Sequence, residues 1–198
     1  MADAKFHDLL LAFDGDLAAI ARAGRCVVCR SPVHSGNYRR KLRGPFARRL
    51  GEKHCWRFSL CCSRDGCRKR KKPPSLRFLD RKGYLAAMVV LVAAMQHGAT
   101  AMRVAKLSQM FGVSRRTVAR WRMWWLTVFA NGPFWHAARA LIMPPVDEQR
   151  LPASLLERFA GSLEERLIAL LRFLAPVTGG ARHASWVIAP LLPAKDAR

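Results

Sequence analysis

Leu107-Ser108-Gln109-Met110-Phe111-Gly112-Val113-Ser114-Arg115-Arg116-Thr117-Val118-Ala119-Arg120-Trp121 is the stretch that decides the class of fold. Leu107 and Phe111 are four residues apart, on one face of a helix. Gly112 permits the positive φ of a sharp turn, and Val113 plugs the angle between two helices. Ser114 is a good N-cap for a second helix, in which Val118, Trp121 and Trp125 return inward at helical spacing. Helix, glycine turn and capped helix make the helix-turn-helix pattern, although an ordinary helical hairpin has similar apolar spacing. Polarity separates the two. The outward face of the second helix carries Ser114, Arg115, Arg116, Thr117, Ala119, Arg120 and Met123, cationic and without an acid. Early residues of a recognition helix meet base edges, and arginine pairs with guanine or binds phosphate. Ser114, Arg115, Arg116, Thr117 and Arg120 are therefore candidate DNA-contacting residues. Trp121, Trp124 and Trp125 read as core aromatics rather than base-stacking platforms.

Upstream, a helix should open at Asp80 or Lys82 and run to about Gln96, apolar nearly all round and so buried in a small bundle, until His97-Gly98 stops it. Its apolar run, Tyr84 to Met95, has 12 residues, too short for a bilayer, which needs about 20.

All six cysteines lie between positions 26 and 67. Cys26-Val27-Val28-Cys29 has the spacing with which two thiolates chelate one tetrahedral metal from a tight turn. Cys62-Ser63-Arg64-Asp65-Gly66-Cys67 offers the second pair, with Gly66 to ease its turn. Cys61 competes with Cys62 for the fourth place, and Cys62 is preferred because its loop to Cys67 is shorter; His34, His54 and Cys55 are spare candidates. Between the pairs, Trp56, Phe58 and Leu60 alternate onto one face of a strand, and a strand entering a knuckle is how a zinc ribbon is built. The expected cofactor is Zn2+ held by Cys26, Cys29, Cys62 and Cys67. Four protein ligands leave no open position, so its role is structural. Disulfides are the alternative in an oxidising compartment, and nothing in the sequence suggests export: residues 1–21 carry four acids against the single Lys5. A redox CxxC would want a βαβ setting that is missing here.

Two basic stretches flank the proposed ribbon: Arg39-Arg40-Lys41, with Arg43, Arg48 and Arg49 close behind, and Arg68-Lys69-Arg70-Lys71-Lys72 directly after Cys67. Tethered to a small rigid fold, they read as phosphate contacts rather than as solvated tails. Pro73-Pro74 then begins a linker. In the whole chain of 198 residues, 35 Lys and Arg against 13 Asp and Glu give a formal charge of +22. The excess is local: residues 22–82 hold 20 cations and three acids, residues 81–146 nine cations and no acid, residues 147–198 seven and six. A basic body between a faintly acidic leader and a neutral tail suits a polyanion partner. At 51% apolar residues the chain can form a core, and wholesale disorder is excluded.

The expected fold is mainly α with a small β zinc ribbon, followed by a helix-turn-helix bundle and a C-terminal amphipathic helix. The expected domains are a helical leader over residues 1–21, a basic zinc-ribbon-like domain over 22–75 and a helix-turn-helix domain over 76–130. A linker and amphipathic helix over 131–175 and an irregular tail over 176–198 complete the chain. In the leader, Phe6, Leu9, Leu10, Phe13, Leu17 and Ile20 predict one or two short helices interrupted at Asp14-Gly15-Asp16. A helix from about Ala153 to Leu174, with Ser154 as cap, carries a stripe of Leu156, Phe159, Leu163, Leu167, Leu170 and Leu174. That stripe serves either intramolecular packing or a dimer seam.

The order of parts, ending in Leu107 to Trp121, resembles the N-terminal part of certain bacterial insertion-sequence transposases over about residues 26–125. The resemblance implies a zinc ribbon and helix-turn-helix that bind the terminal repeats of a mobile element, ahead of a catalytic domain of RNase H type. The four-residue spacer of the second knuckle departs from the family's CxxC. Such a nuclease needs three well-separated carboxylates on a sheet of more than 100 residues. Only Asp147, Glu148, Glu157, Glu164, Glu165 and Asp196 follow Trp125, in helical or terminal sequence. The reading is thus a non-catalytic protein with no catalytic residues, binding double-stranded DNA in the cytoplasm at the nucleoid. A homodimer and a separate catalytic transposase subunit are further partners to expect; a membrane and a small-molecule substrate are not. A transcriptional regulator using the same surface is the second reading, and a metal-dependent nuclease or active transposase the third.

Overall fold

The computed structural model describes residues 4–44, 49–79, 84–96 and 100–179. They are mainly helical with a small antiparallel β component, and they divide into two units, one drawn from Met1–Leu85 with Ala175–Gly180 and the other from Ala86–Leu174.

The first unit opens with one helix, α1 (Ala4–Ala23), which buries Phe6, His7, Leu10, Asp14 and Ala21. The interruption expected at Asp14-Gly15-Asp16 does not occur, because Asp14 turns inward onto donors from the segment after Pro73-Pro74. Its carboxylate accepts from Ser75 Oγ (2.6 Å), the Leu76 amide (2.6 Å) and Arg77 Nε (2.9 Å). Five short strands follow: β1 (Val33–Ser35), β2 (Tyr38–Arg39), β3 (Trp56–Arg57), β4 (Leu60–Cys62) and β5 (Arg70–Lys71). They form a three-stranded sheet in the order β1-β4-β5 and a two-stranded β2-β3 ribbon. The single strand expected to carry Trp56, Phe58 and Leu60 is therefore split between two sheets, and its first half faces the other way. Trp56 is exposed and Arg57 buried, because the guanidinium donates to the carbonyls of Pro73 (2.6 Å) and Phe58 (3.3 Å). Apolar alternation alone could not anticipate an arginine whose donors are satisfied inside.

The stretch after Pro73-Pro74 is not a free linker: Ser75, Leu76, Arg77, Phe78 and Leu79 are all buried, and Ser75 N donates to Thr178 Oγ1 at 2.7 Å.

The second unit begins with α2 (Ala86–Ala94), whose residues Ala86 to Ala93 are all buried, as its all-round apolar sequence requires. The expected start at Asp80 or Lys82 and the His97-Gly98 stop lie outside the described residues. Next come α3 (Ala101–Phe111) and α4 (Arg115–Met123), then a π-helical stretch at Trp124–Phe129 and α5 (Pro133–Arg139). Trp125, Phe129, Phe134 and Trp135 are buried, with Trp125 and Phe129 edge-to-face at 4.9 Å between ring centroids.

The helix expected over 153–174 is two helices, α6 (Ala153–Leu156) and α7 (Leu163–Thr178). The first ends at Leu156 with Glu157 as its C-cap, the chain turns at Gly161 (φ +93°), and Ser162 starts the second. The Ser162 amide donates to Glu165 Oε2 (2.7 Å) and the Glu165 amide to Ser162 Oγ (3.3 Å), a reciprocal capping box. The left-handed φ of Gly161 is what favours glycine there; a Cβ would also meet the Glu165 side chain, 2.6 Å from Oε2. Ser154, expected as the cap, instead donates to the Asp147 carbonyl at 2.6 Å. Leu156, Phe159, Leu167, Leu170 and Leu174 are buried within the chain, while Leu163 is exposed. The irregular tail expected from residue 176 begins as helix to Thr178, and residues 180–198 lie outside the described residues.

Candidate metal centre and nucleic-acid interface

Two loops of the first unit bring four thiols together. In the first, the Cys26 amide donates to the Ser31 carbonyl and the Arg30 amide to the Cys26 carbonyl, both at 2.9 Å, closing a tight turn between Cys26 and Cys29. In the second, β4 delivers Cys62, whose amide donates to the Lys69 carbonyl (2.9 Å), and the Cys67 amide donates to the Arg64 carbonyl (3.2 Å). The β1-β4 register, Val33 against Cys62, ties the two loops together.

The sulfurs of Cys26, Cys29, Cys62 and Cys67 all lie within 4.8 Å of one another, so this group could hold a metal ion. Cys26 and Cys67 are 3.8 Å apart at sulfur, Cys29 and Cys62 3.4 Å. A tetrahedral centre with metal–sulfur bonds near 2.3 Å would space its sulfurs by about 3.8 Å, whereas a disulfide would need about 2.05 Å. All six cysteines are free thiols. The geometry fits a cation among four sulfurs. Strand alternation settles the contest between neighbours: Cys62 points into the cluster, while Cys61 Sγ turns to the Arg68 carbonyl at 3.6 Å. His34, His54 and Cys55 do not join the group.

The thiols differ in acidity. Hydrogen bonds from the Ser31 hydroxyl and amide bring Cys29 down to about 6, and the amides of Cys29 and Val28 hold Cys26 below the ordinary thiol range. Burial pushes Cys62 up to about 12. A cation held by the four sulfurs would supply what burial withholds from Cys62, a charge that stabilises its thiolate.

One feature of both loops was not singled out from sequence. Arg30 and Arg68, at φ +59° and +41°, are the non-glycine residues in left-handed backbone among those described, and each directly follows the second cysteine of its pair. The left-handed region costs an L-residue roughly 1–2 kcal/mol, so turn closure at the thiols outweighs local preference. The position after each second cysteine was the available signal.

The basic stretches lie on this unit. Arg39 is exposed, with Glu52 at 3.6 Å; Arg40 is half-buried with its guanidinium 5.5 Å from the Phe78 ring centre; Lys41 is exposed. Arg68 is exposed and pairs with Asp65 at 2.6 Å, and Arg70 donates to the Gly36 carbonyl at 3.3 Å. Lys69 and Lys72 are exposed and Lys71 half-buried.

In the second unit, α3 is capped by Thr100, whose hydroxyl accepts from the Arg103 amide at 3.4 Å. Gly112 takes φ +55° and Val113 is buried beyond it. Ser114 accepts from the Thr117 amide at 3.3 Å and starts α4. Val118, Trp121 and Trp125 are buried. The buried Gln96 amide donates to the Val92 and Val118 carbonyls at 3.2 and 3.1 Å, linking the end of α2 to α4. Ser114, Arg115, Arg116, Ala119, Arg120 and Met123 are exposed along α4. Thr117, expected on that outward face, is instead buried. Its hydroxyl lies 3.0 Å from Ser114 Oγ and accepts from Arg120 at 3.0 Å.

Three of the carboxylates after Trp125 are engaged structurally. Glu148 accepts from Trp135 Nε1 (2.8 Å) and Arg139 (2.7 Å), Asp147 caps the Gln149 amide (3.0 Å), and Glu157 pairs with Arg150 (2.9 Å). Among the described residues the four thiols are the only His, Cys, Asp or Glu group that could hold a metal, and no helix is long and apolar enough to cross a membrane. Comparison with family models, with curated proteins and with solved structures returns no match.

Proposed function

We propose that this chain is a non-catalytic DNA-binding protein, stabilised by a structural Zn2+ on Cys26, Cys29, Cys62 and Cys67, that reads duplex DNA with α4 as the second helix of a helix-turn-helix. The observation that carries the reading is the exposed face of α4: Ser114, Arg115, Arg116 and Arg120 stand on a helix with a capped start, in a stretch from residue 81 to 146 that holds nine cations and no acid. Arginine can pair bidentately with guanine in the major groove and also bind phosphate. Zinc suits four thiolates in a tetrahedron, and with no open position it serves folding rather than chemistry. Arg39, Lys41, Lys69 and Lys72 of the zinc-bearing unit supply further phosphate contacts. The resemblance in order of parts to insertion-sequence transposases points to the ends of a mobile element as the DNA site. The engagement of Asp147, Glu148 and Glu157 in structural contacts favours a partner role beside a separate catalytic subunit over a nuclease in this chain.

A salt titration of duplex binding by the zinc-loaded full chain tests the reading. Neutralising several phosphates gives log Kd a steep linear dependence on log salt, with a slope near 0.9 per contact. No retention of any duplex at low salt would overturn it.

A further inference from the structure

The tip of the first cysteine loop carries the least expected surface in its unit. Val27 and Val28 are 74% and 63% exposed, although the turn they form needs only two thiols and its own backbone hydrogen bonds. Two adjacent β-branched hydrocarbons on a turn pinned at both ends form a stiff apolar prow. Around it positive charge predominates. Arg25 and Arg30 bracket the turn in sequence, and a cleft beside it is lined by Val28, Arg64, Gly66 and Lys69, with all four cations exposed. The one acid there, Asp65, is paired with Arg68 at 2.6 Å. An acidic partner is thus indicated, and one with apolar material between its charges. Nucleic acid has both, phosphates flanking stacked bases. Valine offers no π face, so the tip is no stacking platform for a single strand. Aliphatic side chains pushed between base steps from the minor groove can instead part and kink a duplex, with cations holding the adjacent phosphates.

We propose that the Val27-Val28 tip is a wedge that partly unstacks a base step of duplex DNA while Arg25, Arg30, Arg64 and Lys69 hold the neighbouring phosphates. This rests on the DNA-binding reading above and gives the metal-bearing unit a task beyond folding: it deforms the DNA.

Partial unstacking untwists DNA, so the test needs no knowledge of the binding sequence. A relaxed closed-circular plasmid is treated with topoisomerase I in the presence of zinc-loaded full-length protein, and the linking-number change per bound protein is measured, with bound protein counted by filter retention. The wild type is expected to shift the topoisomer distribution. V27S/V28S, with all four thiols intact and unchanged zinc content, should keep its plasmid retention within about threefold but shift the distribution at least threefold less. V27L/V28L should keep the shift. Retention without any shift by the wild type, or an undiminished shift by V27S/V28S, overturns the wedge and leaves DNA binding standing; the latter would hand the tip to a protein partner. Absence of retention overturns the DNA-binding reading itself.

Discussion

Asp14 and Arg77 are wholly buried side chains 63 residues apart, joined by a hydrogen bond from Arg77 Nε to Asp14 Oδ2 of 2.9 Å. The remaining capacity of each is spent nearby. Arg77 donates to the carbonyls of His54 (3.0 Å) and Trp56 (2.8 Å), and Asp14 also accepts from Ser75 and Leu76. The pair thereby ties α1 to the β3 region and to the chain after Pro73-Pro74. A fully bonded buried pair adds little net stability against a hydrophobic replacement, but removing one partner strands a charge at a cost of about 3–5 kcal/mol. Asp14→Ala should lower unfolding stability by that amount in urea titrations of the zinc-loaded protein. A loss under 1 kcal/mol would show that the pair does not hold the unit together.

The thiol geometry separates neighbours that spacing could not. Cys26→Ser, Cys29→Ser, Cys62→Ser and Cys67→Ser should each release the metal and lose the folded first unit, whereas Cys61→Ser should bind it at full stoichiometry. Zinc content by mass spectrometry under native conditions, with circular dichroism before and after chelation, reads both effects. Metal loss from Cys61→Ser equal to that from Cys62→Ser would contradict the sulfur positions.

Much of this was legible because local chemistry wrote it. Gly112, Ser114 and the Val118-Trp121-Trp125 spacing mark the turn and cap that the structure contains, and the two cysteine pairs converge as their spacing suggests. The failures share a cause. Asp14, Arg57, Arg77 and Thr117 are polar residues buried by partners distant in sequence or by a side-chain bond, and a polar residue inside leaves no periodic trace. Where the strand splits, between Arg57 and Leu60, the Ser59 amide likewise donates to a side chain distant in sequence, Asn37 Oδ1 at 3.1 Å. The break between α6 and α7 was readable: Gly161-Ser162 with Glu165 is a stop followed by a capping box, masked by an apolar stripe that continues across it.

His54 makes the first unit sensitive to acid. It is buried, its Nε2 is 3.2 Å from Asp8 Oδ1, and His7 packs edge-on against it at 6.3 Å. Burial holds it below its ordinary value of 6.5 in spite of Asp8. The unfolded chain therefore takes up a proton that the folded chain resists, and stability falls as pH drops below about 6.5. The Asp8 carboxyl, held below its ordinary range chiefly by a hydrogen bond from Lys53, acts in the same direction, its contribution being lost at still lower pH. The urea midpoint should decline from pH 7.5 to pH 5.5, and less steeply in His54→Gln. Parallel profiles for the two proteins would remove His54 as the cause.

Thr117 offers a sharper test of recognition than any exposed arginine, because its hydroxyl is inside and touches Arg120. With Ser114 at 3.0 Å on one side and the Arg120 guanidinium at 3.0 Å on the other, it restrains a long, flexible side chain. That restraint lowers the ordering cost of binding. Thr117→Val keeps the buried shape and removes the acceptor. If Arg120 reads a base, this variant should lose part of the about 1–3 kcal/mol of discrimination that a bidentate contact provides, with its salt slope unchanged because no phosphate contact is lost. Thr117→Ser should restore discrimination, and Arg120→Ala should abolish the difference between Thr and Val at position 117. Binding-site selection followed by competition titration against single-base variants measures all four proteins. An undiminished preference in Thr117→Val would mean that Arg120 is positioned by the DNA and not by its own helix.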